Sequence, residues 1–406
     1  MPNIMSSTPP PASPSPTPQA MIIAHRGASA RAPEHTLAAY REAIRAGADF
    51  IEPDLVLTRD GVLVARHENS LDDTTNVAEL AHFANRRTTK RVDGEARTDW
   101  FAEDFTLAEL RTLRARERLP ELRPQNDARF PAETIPTLAE IIALVRELEG
   151  ADRAVGIYPE TKHPTYFSHE GHHLDGTAIA QSISQMLIDT LKAEDFVDPA
   201  RVYIQSFEIE NLLQLAHRIM PTAGVKLPLV QLLGDLGNAP EPPALAFAHP
   251  WDTVYHARAG HDPGEVYGAL AAAVGMQRGE ALTYASMVSC DALSALGDSY
   301  ADALGPWLTA LLPRETAGPG SPLPRLTGEV HPLLAAAKGL GLAVHAYTLR
   351  PEAPFRVLGE HGDVLSAERE LAILLTHGVD GVFADDPGPA VLSRRGFADD
   401  GGPTTP

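Results

Sequence analysis

The 406-residue chain sets 34 Lys and Arg against 54 Asp and Glu, a formal charge of −20, with 44% hydrophobic and 22% charged residues. A sizeable core is within reach, either as two ordinary domains or as one large barrel with insertions. The acidic balance excludes a general nucleic-acid binder, the single cysteine, Cys290, excludes an intrachain disulfide, and no run approaches the roughly 18–20 apolar residues of a membrane span.

Residues 1–20 hold seven prolines and no Lys or Arg. They read as a disordered Pro/Ser/Thr-rich leader without the charged and apolar regions of a secretory signal, and Met21 offers an alternative start. Order is predicted to begin at Met21, with MIIAH as a short buried strand. A helix over 33–46 follows, with Pro33 in its first turn and Gly47 as its stop. DFIEPDLVL is the next strand, and TRDGVLVARH a hairpin turning at Arg59-Asp60-Gly61. Residues 69–131 are polar, with only short helical pieces such as LAELRTLRARE, and form an insertion between barrel elements. The alternation resumes with a helix over 137–148, strand AVGIYPETK, a helix over 177–193, strand VYIQSF, a helix over 208–219 and strand GVKLPLVQLL. After a second, Pro/Gly/Ala-rich insertion at 236–283, YASMVSC is predicted as the sixth strand. A helix over 332–339, strand LAVHAYTLR, a helix over 368–377 and strand GVFADD complete the series, and 396–406 is expected to be a flexible tail.

Eight apolar strands alternating with helices favour a closed (β/α)8 TIM barrel over residues 21–395, not an open doubly wound sheet. No GxGxxG or GxxxxGK[ST] follows a strand, and no 20- to 50-residue period repeats.

The chemistry-bearing residues stand at predicted strand ends, where barrel enzymes build their sites. His25 and Arg26 close the first strand; an imidazole there can exchange a proton near pH 7 and a guanidinium can hold a phosphate oxygen. Glu52 and Asp54, two apart in one strand, point the same way. Two inward acids in an apolar context call for a cation, and oxygen-only ligands suit Mg2+ or Ca2+ better than zinc. A solvated loop pair is the plainer alternative. His67 returns beside these acids if the hairpin forms. Glu160 and Lys162 repeat the i, i+2 spacing, offering a third carboxylate and a cation, or simply an ion pair. Three acids, two histidines, Arg and Lys at successive strand ends point together to metal-assisted phosphoryl chemistry.

The run AHRGASARAPEHTLAAYREAIRAGADFIEPDLVLTRDGVLVARHE resembles the signature of glycerophosphodiester phosphodiesterases: HRG, PE-x-T, an E-x-D strand, then T-x-D-G and a second histidine. The likeness continues through IYPETKHP, VYIQSF, LVQLL, VHAYTLR and GVFADDP, over about residues 21–392. VHAYTLR and the long block after IYPETKHP resemble the longer, periplasmic-type, calcium-dependent branch. This resemblance implies hydrolysis of glycerophosphodiesters such as glycerophosphocholine or glycerophosphoethanolamine to an alcohol and sn-glycerol 3-phosphate. It implies that Glu52, Asp54 and Glu160 hold one divalent ion, Ca2+ in that branch with Mg2+ as the alternative. His25 and His67 become the general acid and base, Arg26 and Lys162 the phosphate contacts, and Gln205 and Tyr347 part of the substrate lining. The attacking group implied is the substrate's own glycerol 2-hydroxyl, through a cyclic phosphate. The implied partner is a small-molecule glycerophosphodiester, with no nucleic acid and no integral membrane contact; oligomeric state is not legible. Compartment stays open between the periplasm or exterior, which the branch implies, and the cytoplasm, which the leader suggests. Glu68 departs from the aspartate usual after the second histidine.

Among the remaining motifs, His163, His169, His172 and His173 read as solvated loop histidines, not as a second metal site. His345 is open between core packing and substrate lining, and Asp385-Asp386 reads as a helix cap, with a contact to the site from behind its lining as the alternative. Two rivals share the pattern. A sphingomyelinase D-like phospholipase would add an apolar membrane-facing loop and paired cysteines. A non-catalytic binding protein would have lost one of the five central groups, all of which are present.

Overall fold

The strands meet side by side in the order they occur along the chain. In the computed structural model, which describes residues 19–150, 153–237, 243–318 and 320–399, β1 (Met21–His25) bonds to β2 on one side and β8 on the other. Between them run β2 (Phe50–Glu52 and Asp54–Leu57), β3 (Gly156–Ile157 and Glu160–Thr161) and β4 (Ile204–Ser206). The circuit continues through β5 (Leu229–Leu233), β6 (Ala303–Pro306), β7 (Ala343–Leu349) and β8 (Gly381–Ala384). Every neighbouring pair is parallel and β8 returns to β1, so the sheet closes as an eight-stranded barrel. The short strand Leu63–Ala65 joins β2 antiparallel, completing the expected hairpin.

Two breaks in this ladder shape the barrel mouth. β2 is interrupted at Pro53 and β3 at Tyr158–Pro159, yet Phe50 faces Gly156 before the break and Asp54 faces Glu160 after it. The offset of 106 positions is the same on both sides, so the register does not slip. A proline has no N–H for the ladder, but the Pro53 carbonyl still accepts from Glu160 N at 3.0 Å. The parallel registers bring His25 level with Glu52, Asp54 with Glu160, and Glu160 with Gln205.

The barrel interior is filled by Ile23, Phe50, Tyr158, Val230, Ala303 and Phe383, and a larger core lies between the strands and the helices around them. Helix Leu37–Ala46 buries Ala39, Tyr40, Ala43 and Ile44 on its inner face, with the Thr36 hydroxyl capping Ala39 N and Gly47 ending it at φ 96°. It begins at Leu37, four residues later than the sequence suggests, because Pro33–Thr36 forms a separate turn that faces the barrel mouth.

The sixth strand lies elsewhere than expected. Residues Tyr284–Val288 form a single 3-10 turn, with the Thr283 and Ser286 side chains in a reciprocal capping box. The true strand is ALGP, whose small residues show no alternation because both faces are buried. A Cβ on Gly305 would lie 2.6 Å from Leu232 Cδ2, so a larger residue there would require the Leu232 side chain to move. The first insertion also differs: LAELRTLRARE is helical only over Leu107–Leu110, and an unexpected hairpin pairs Thr88–Val92 with Glu95–Asp99. The final helix runs Pro387–Asp399, into the stretch expected as tail; the leader up to residue 18 and the tail from 400 lie outside the described residues. Among the described residues, no helix is long and apolar enough to cross a membrane.

Candidate active site

The break in β2 sets Glu52 and Asp54 on either side of a proline, and the level register sets Glu160 beside them. One carboxylate oxygen from each lies within 4.8 Å of the others, and all three residues are buried. Two unit charges at that separation repel by about 3 kcal/mol at an effective dielectric near 20. Burial, then the Asp54 and Glu160 charges, push Glu52 well above the usual carboxylate range. Burial also lifts Glu160 to about 8 against the opposing pull of Lys162, whose Nζ lies 2.8 Å from Glu160 Oε1. Burial lifts Asp54 too, but Lys162 and His35 together outweigh it and hold the acid well below its ordinary value. The Asp54 Oδ1 and Gln205 Oε1 atoms are buried acceptors without a hydrogen-bond partner. An all-oxygen cage with surplus acceptors and self-repelling charge fits a hard divalent cation such as Mg2+ or Ca2+. Among the described residues this is the one cluster of three such side chains close enough to hold a metal ion.

Two histidines flank the cage, each backed by a carboxylate. His25 Nδ1 lies 2.7 Å from Asp385 Oδ1, and His67 Nδ1 lies 2.5 Å from Glu68 Oε1. An ionised carboxylate at Nδ1 keeps the proton on that nitrogen and leaves Nε2 free to accept one. Glu68, despite its extra methylene over aspartate, reaches its histidine. Burial, then the neighbouring Arg26 charge, depresses both rings, His25 to about 4 and His67 to about 3, so both are neutral at pH 7.

Arg26 adopts φ 57° and the following Gly27 φ 87°. A Cβ on Gly27 would lie 2.7 Å from the Ala39 backbone, so the turn that aims Arg26 requires glycine. Arg26 N donates to Glu52 Oε2 at 2.7 Å, and its guanidinium reaches Glu34 at 3.1 Å. Gln205 Nε2 donates to Glu52 Oε1 at 3.1 Å, and Tyr347 Oη to the Leu233 carbonyl at 2.9 Å. His25, Arg26, Glu52, Asp54, His67, Glu160, Lys162, Gln205 and Tyr347 all line one cavity of about 700 Å³, with Phe207, Trp251, Tyr284 and Trp307 along its apolar wall.

His345 is not part of that cavity: it is buried in the barrel, its Nδ1 2.7 Å from Tyr158 Oη. The four loop histidines do not converge on one point. His163 pairs with Asp93, His169 stacks on Tyr255, and His172 and His173 bond to backbone carbonyls. Asp385 is not a helix cap; its two oxygens go to His25 and, at 2.5 Å, to Arg123. Asp386 instead holds Arg31 through two hydrogen bonds of 2.8 and 3.0 Å.

Sequence reasoning also passed over His35, which bridges Asp54 Oδ2 (2.9 Å) and Tyr40 Oη (2.8 Å) and so orients a cage carboxylate. The only signal was its place in Pro33-Glu34-His35-Thr36, immediately before a helix.

Comparison with known proteins returns one family across this region: the glycerophosphoryl diester phosphodiesterase family matches residues 25–389. A Haemophilus influenzae glycerophosphodiester phosphodiesterase is 28% identical over 393 residues, covering 93% of this chain and 90% of its own length. The Arabidopsis thaliana glycerophosphodiester phosphodiesterase GDPD6 is 38% identical over 204 residues; that match spans 48% of this chain and about half, 52%, of the relative. Among solved structures, a Silicibacter pomeroyi protein shares the fold at 20% identity with a TM-score of 0.53, covering 94% of this chain and 95% of that one. An Oleispira antarctica phosphodiesterase, solved in complex with the product sn-glycerol-3-phosphate, aligns at 18% identity with a TM-score of 0.50 over 92% of this chain and 96% of its own.

Proposed function

The chain belongs to the glycerophosphoryl diester phosphodiesterase family, and on that premise we propose that it hydrolyses glycerophosphodiesters such as glycerophosphocholine to an alcohol and sn-glycerol 3-phosphate. One observation carries this reading to individual residues: two carboxylate-backed imidazoles share a cavity with a three-carboxylate cage, Arg26 and Lys162. The Oleispira antarctica enzyme holds, on the same fold, the product proposed for this chain.

Arg26 and Lys162 hold the phosphate oxygens, and Gln205 and Tyr347 line the space around the substrate. One histidine accepts the proton of the glycerol 2-hydroxyl as that oxygen attacks phosphorus. The other protonates the departing alcohol oxygen as its bond to phosphorus breaks. The pair then exchanges roles: water is deprotonated to open the cyclic phosphate, and the 2-oxygen regains its proton. An anionic diester beside the imidazoles opposes the depression imposed by Arg26, which lets one ring carry a proton during the cycle. Each proton transfer contributes about 10²- to 10⁴-fold, and intramolecular attack adds the advantage of proximity. A divalent ion held by Glu52, Asp54 and Glu160 would supply positive charge against the charge that builds on the phosphate oxygens. Ca2+ is proposed from the likeness to the longer branch, with Mg2+ as the alternative; the near-full-length match to the Haemophilus relative supports placing the chain among the longer members.

The test is release of glycerol 3-phosphate from glycerophosphocholine with Ca2+, with Mg2+ and after chelation. Turnover dependent on Ca2+ is expected. Turnover with Mg2+ alone would keep the reaction and remove the calcium assignment. Absence of turnover on any glycerophosphodiester, in folded protein with metal bound, would sink the proposal.

A further inference from the structure

We propose that one short stretch of the first insertion, residues 117–126, is a positioning clamp that sets both histidines at once, through Arg118 and Arg123. This rests on the acid–base reading of His25 and His67. Neither arginine lines the cavity; each acts through a carboxylate that does the holding.

Arg118 uses its whole fork. Its Nη2 and Nη1 reach Glu68 at 2.7 and 3.2 Å, and its Nε and Nη2 reach Glu34 at 2.8 and 2.6 Å. Glu68 backs His67, and Glu34 takes the guanidinium of Arg26. Five residues on, Arg123 does the same for the other side. Its Nη2 reaches Asp385, the partner of His25, at 2.5 Å, its Nε reaches Glu352 at 2.6 Å, and its Nη1 reaches the Ser29 carbonyl at 2.8 Å. Ser29 Oγ in turn donates to the His25 carbonyl at 3.0 Å.

The stretch is itself locked. Glu117 accepts from Asn126 Nδ2 at 2.7 Å and from Leu119 N at 2.9 Å, and its own N–H donates to Asp127 at 2.7 Å. Arg123 is 3% exposed and Asn126 fully buried. If this stretch served only to tie down the insertion, apolar side chains would do it without the desolvation that buried ion pairs incur. What the guanidinium fork adds is direction: it fixes the plane of a carboxylate, which fixes the imidazole behind it.

The experiment uses the full chain loaded with Ca2+ and glycerophosphocholine as substrate. Arg118→Lys and Arg123→Lys keep the charge and lose the fork. Each is expected to lower kcat by about 10- to 100-fold, the usual effect of removing such a support, with KM changed less than about threefold. Arg118→Ala and Glu68→Gln should not multiply: the loss in the double variant should fall short of the product of the two single losses, because both act through Glu68. Methylguanidinium added to Arg118→Ala should restore part of kcat. Lysine variants with wild-type kcat, or a fall in melting temperature with kcat unchanged, would overturn the clamp and leave a tether. So would losses that multiply in the double variant. If an alanine variant fails to fold, the lysine variants decide. His25→Ala and His67→Ala run alongside. If either keeps full turnover, the acid–base reading fails; if both are inactive while the lysine variants turn over normally, only the clamp fails.

Discussion

Replacing Asp385 by Asn isolates what a carboxylate behind His25 contributes. In the native site Asp385 Oδ1 lies 2.7 Å from His25 Nδ1, and this hydrogen bond and charge are the two influences that raise an imidazole otherwise depressed by burial and by Arg26. Without them the ring falls below its native value of about 4, and Arg123 and Arg350 lose the anion between them. An amide also offers an N–H to Nδ1, which allows the tautomer with the proton on Nε2, where it blocks proton acceptance. A lost proton-transfer group changes the rate by about 10²- to 10⁴-fold. We therefore expect kcat to fall about 10³-fold, roughly 4 kcal/mol of barrier at about 1.36 kcal/mol per decade. KM should move little, because Asp385 does not line the cavity. Breaking a buried ion pair costs about 3–5 kcal/mol of stability, so melting temperature and Ca2+ affinity must be measured first. The assay is glycerol 3-phosphate release at saturating glycerophosphocholine. A folded, Ca2+-binding Asp385→Asn with kcat within threefold of wild type would refute the role given to this dyad.

Glu52→Gln keeps the length and planar end of the side chain and removes its charge, so the fold should survive while calorimetry shows Ca2+ affinity reduced at least about 10-fold and turnover collapses; wild-type turnover with metal still bound would count against the cage. His67→Ala should lower kcat by about 10²-fold or more while leaving substrate affinity nearly unchanged, and near-normal turnover would remove it from the acid–base pair. His345 gives a stability signature instead. Burial holds it at about 3 against 6.5 for an open imidazole, so between those values the unfolded chain binds a proton that the folded chain excludes. Its contribution is intact above pH 6.5 and erodes by up to about 1.4 kcal/mol per pH unit as pH falls toward 3. His345→Gln should flatten the acid limb of urea unfolding by about one proton with activity retained, and an unaltered acid limb would contradict this.

What could be read from the sequence was whatever lies close together along it. Glu52 and Asp54 stand two apart in an apolar strand, Glu160 and Lys162 repeat that spacing, and the histidines close apolar runs. The barrel was read from eight apolar strands, of which all but the sixth lie where their branched residues announce them. The sixth strand, ALGP, was hidden because a doubly buried strand of small residues has neither alternation nor bulk, while YASMVSC nearby had both the apolar content and a cap that turned it into a helical coil. The supports of the site were illegible for a different reason. Asp385 meets His25 across 360 positions, and Arg118 and Arg123 sit in a polar insertion whose periodicity says nothing about which carboxylates they will find. Local chemistry shows in spacing; orientation by distant partners does not.

The pairing of His25 with Asp385 joins the first strand of the barrel to the last. A growing chain therefore carries its histidine through 360 further residues of synthesis before the partner is made. Domains take shape during synthesis at about 5–20 residues per second, so some tens of seconds separate the two halves of this dyad. The final helix reinforces the same seam, with Arg394 bonded to the Ala20 carbonyl at 2.8 Å and paired with Asp49. A product of interrupted translation that stops before β8 would thus lack the His25–Asp385 pair as well.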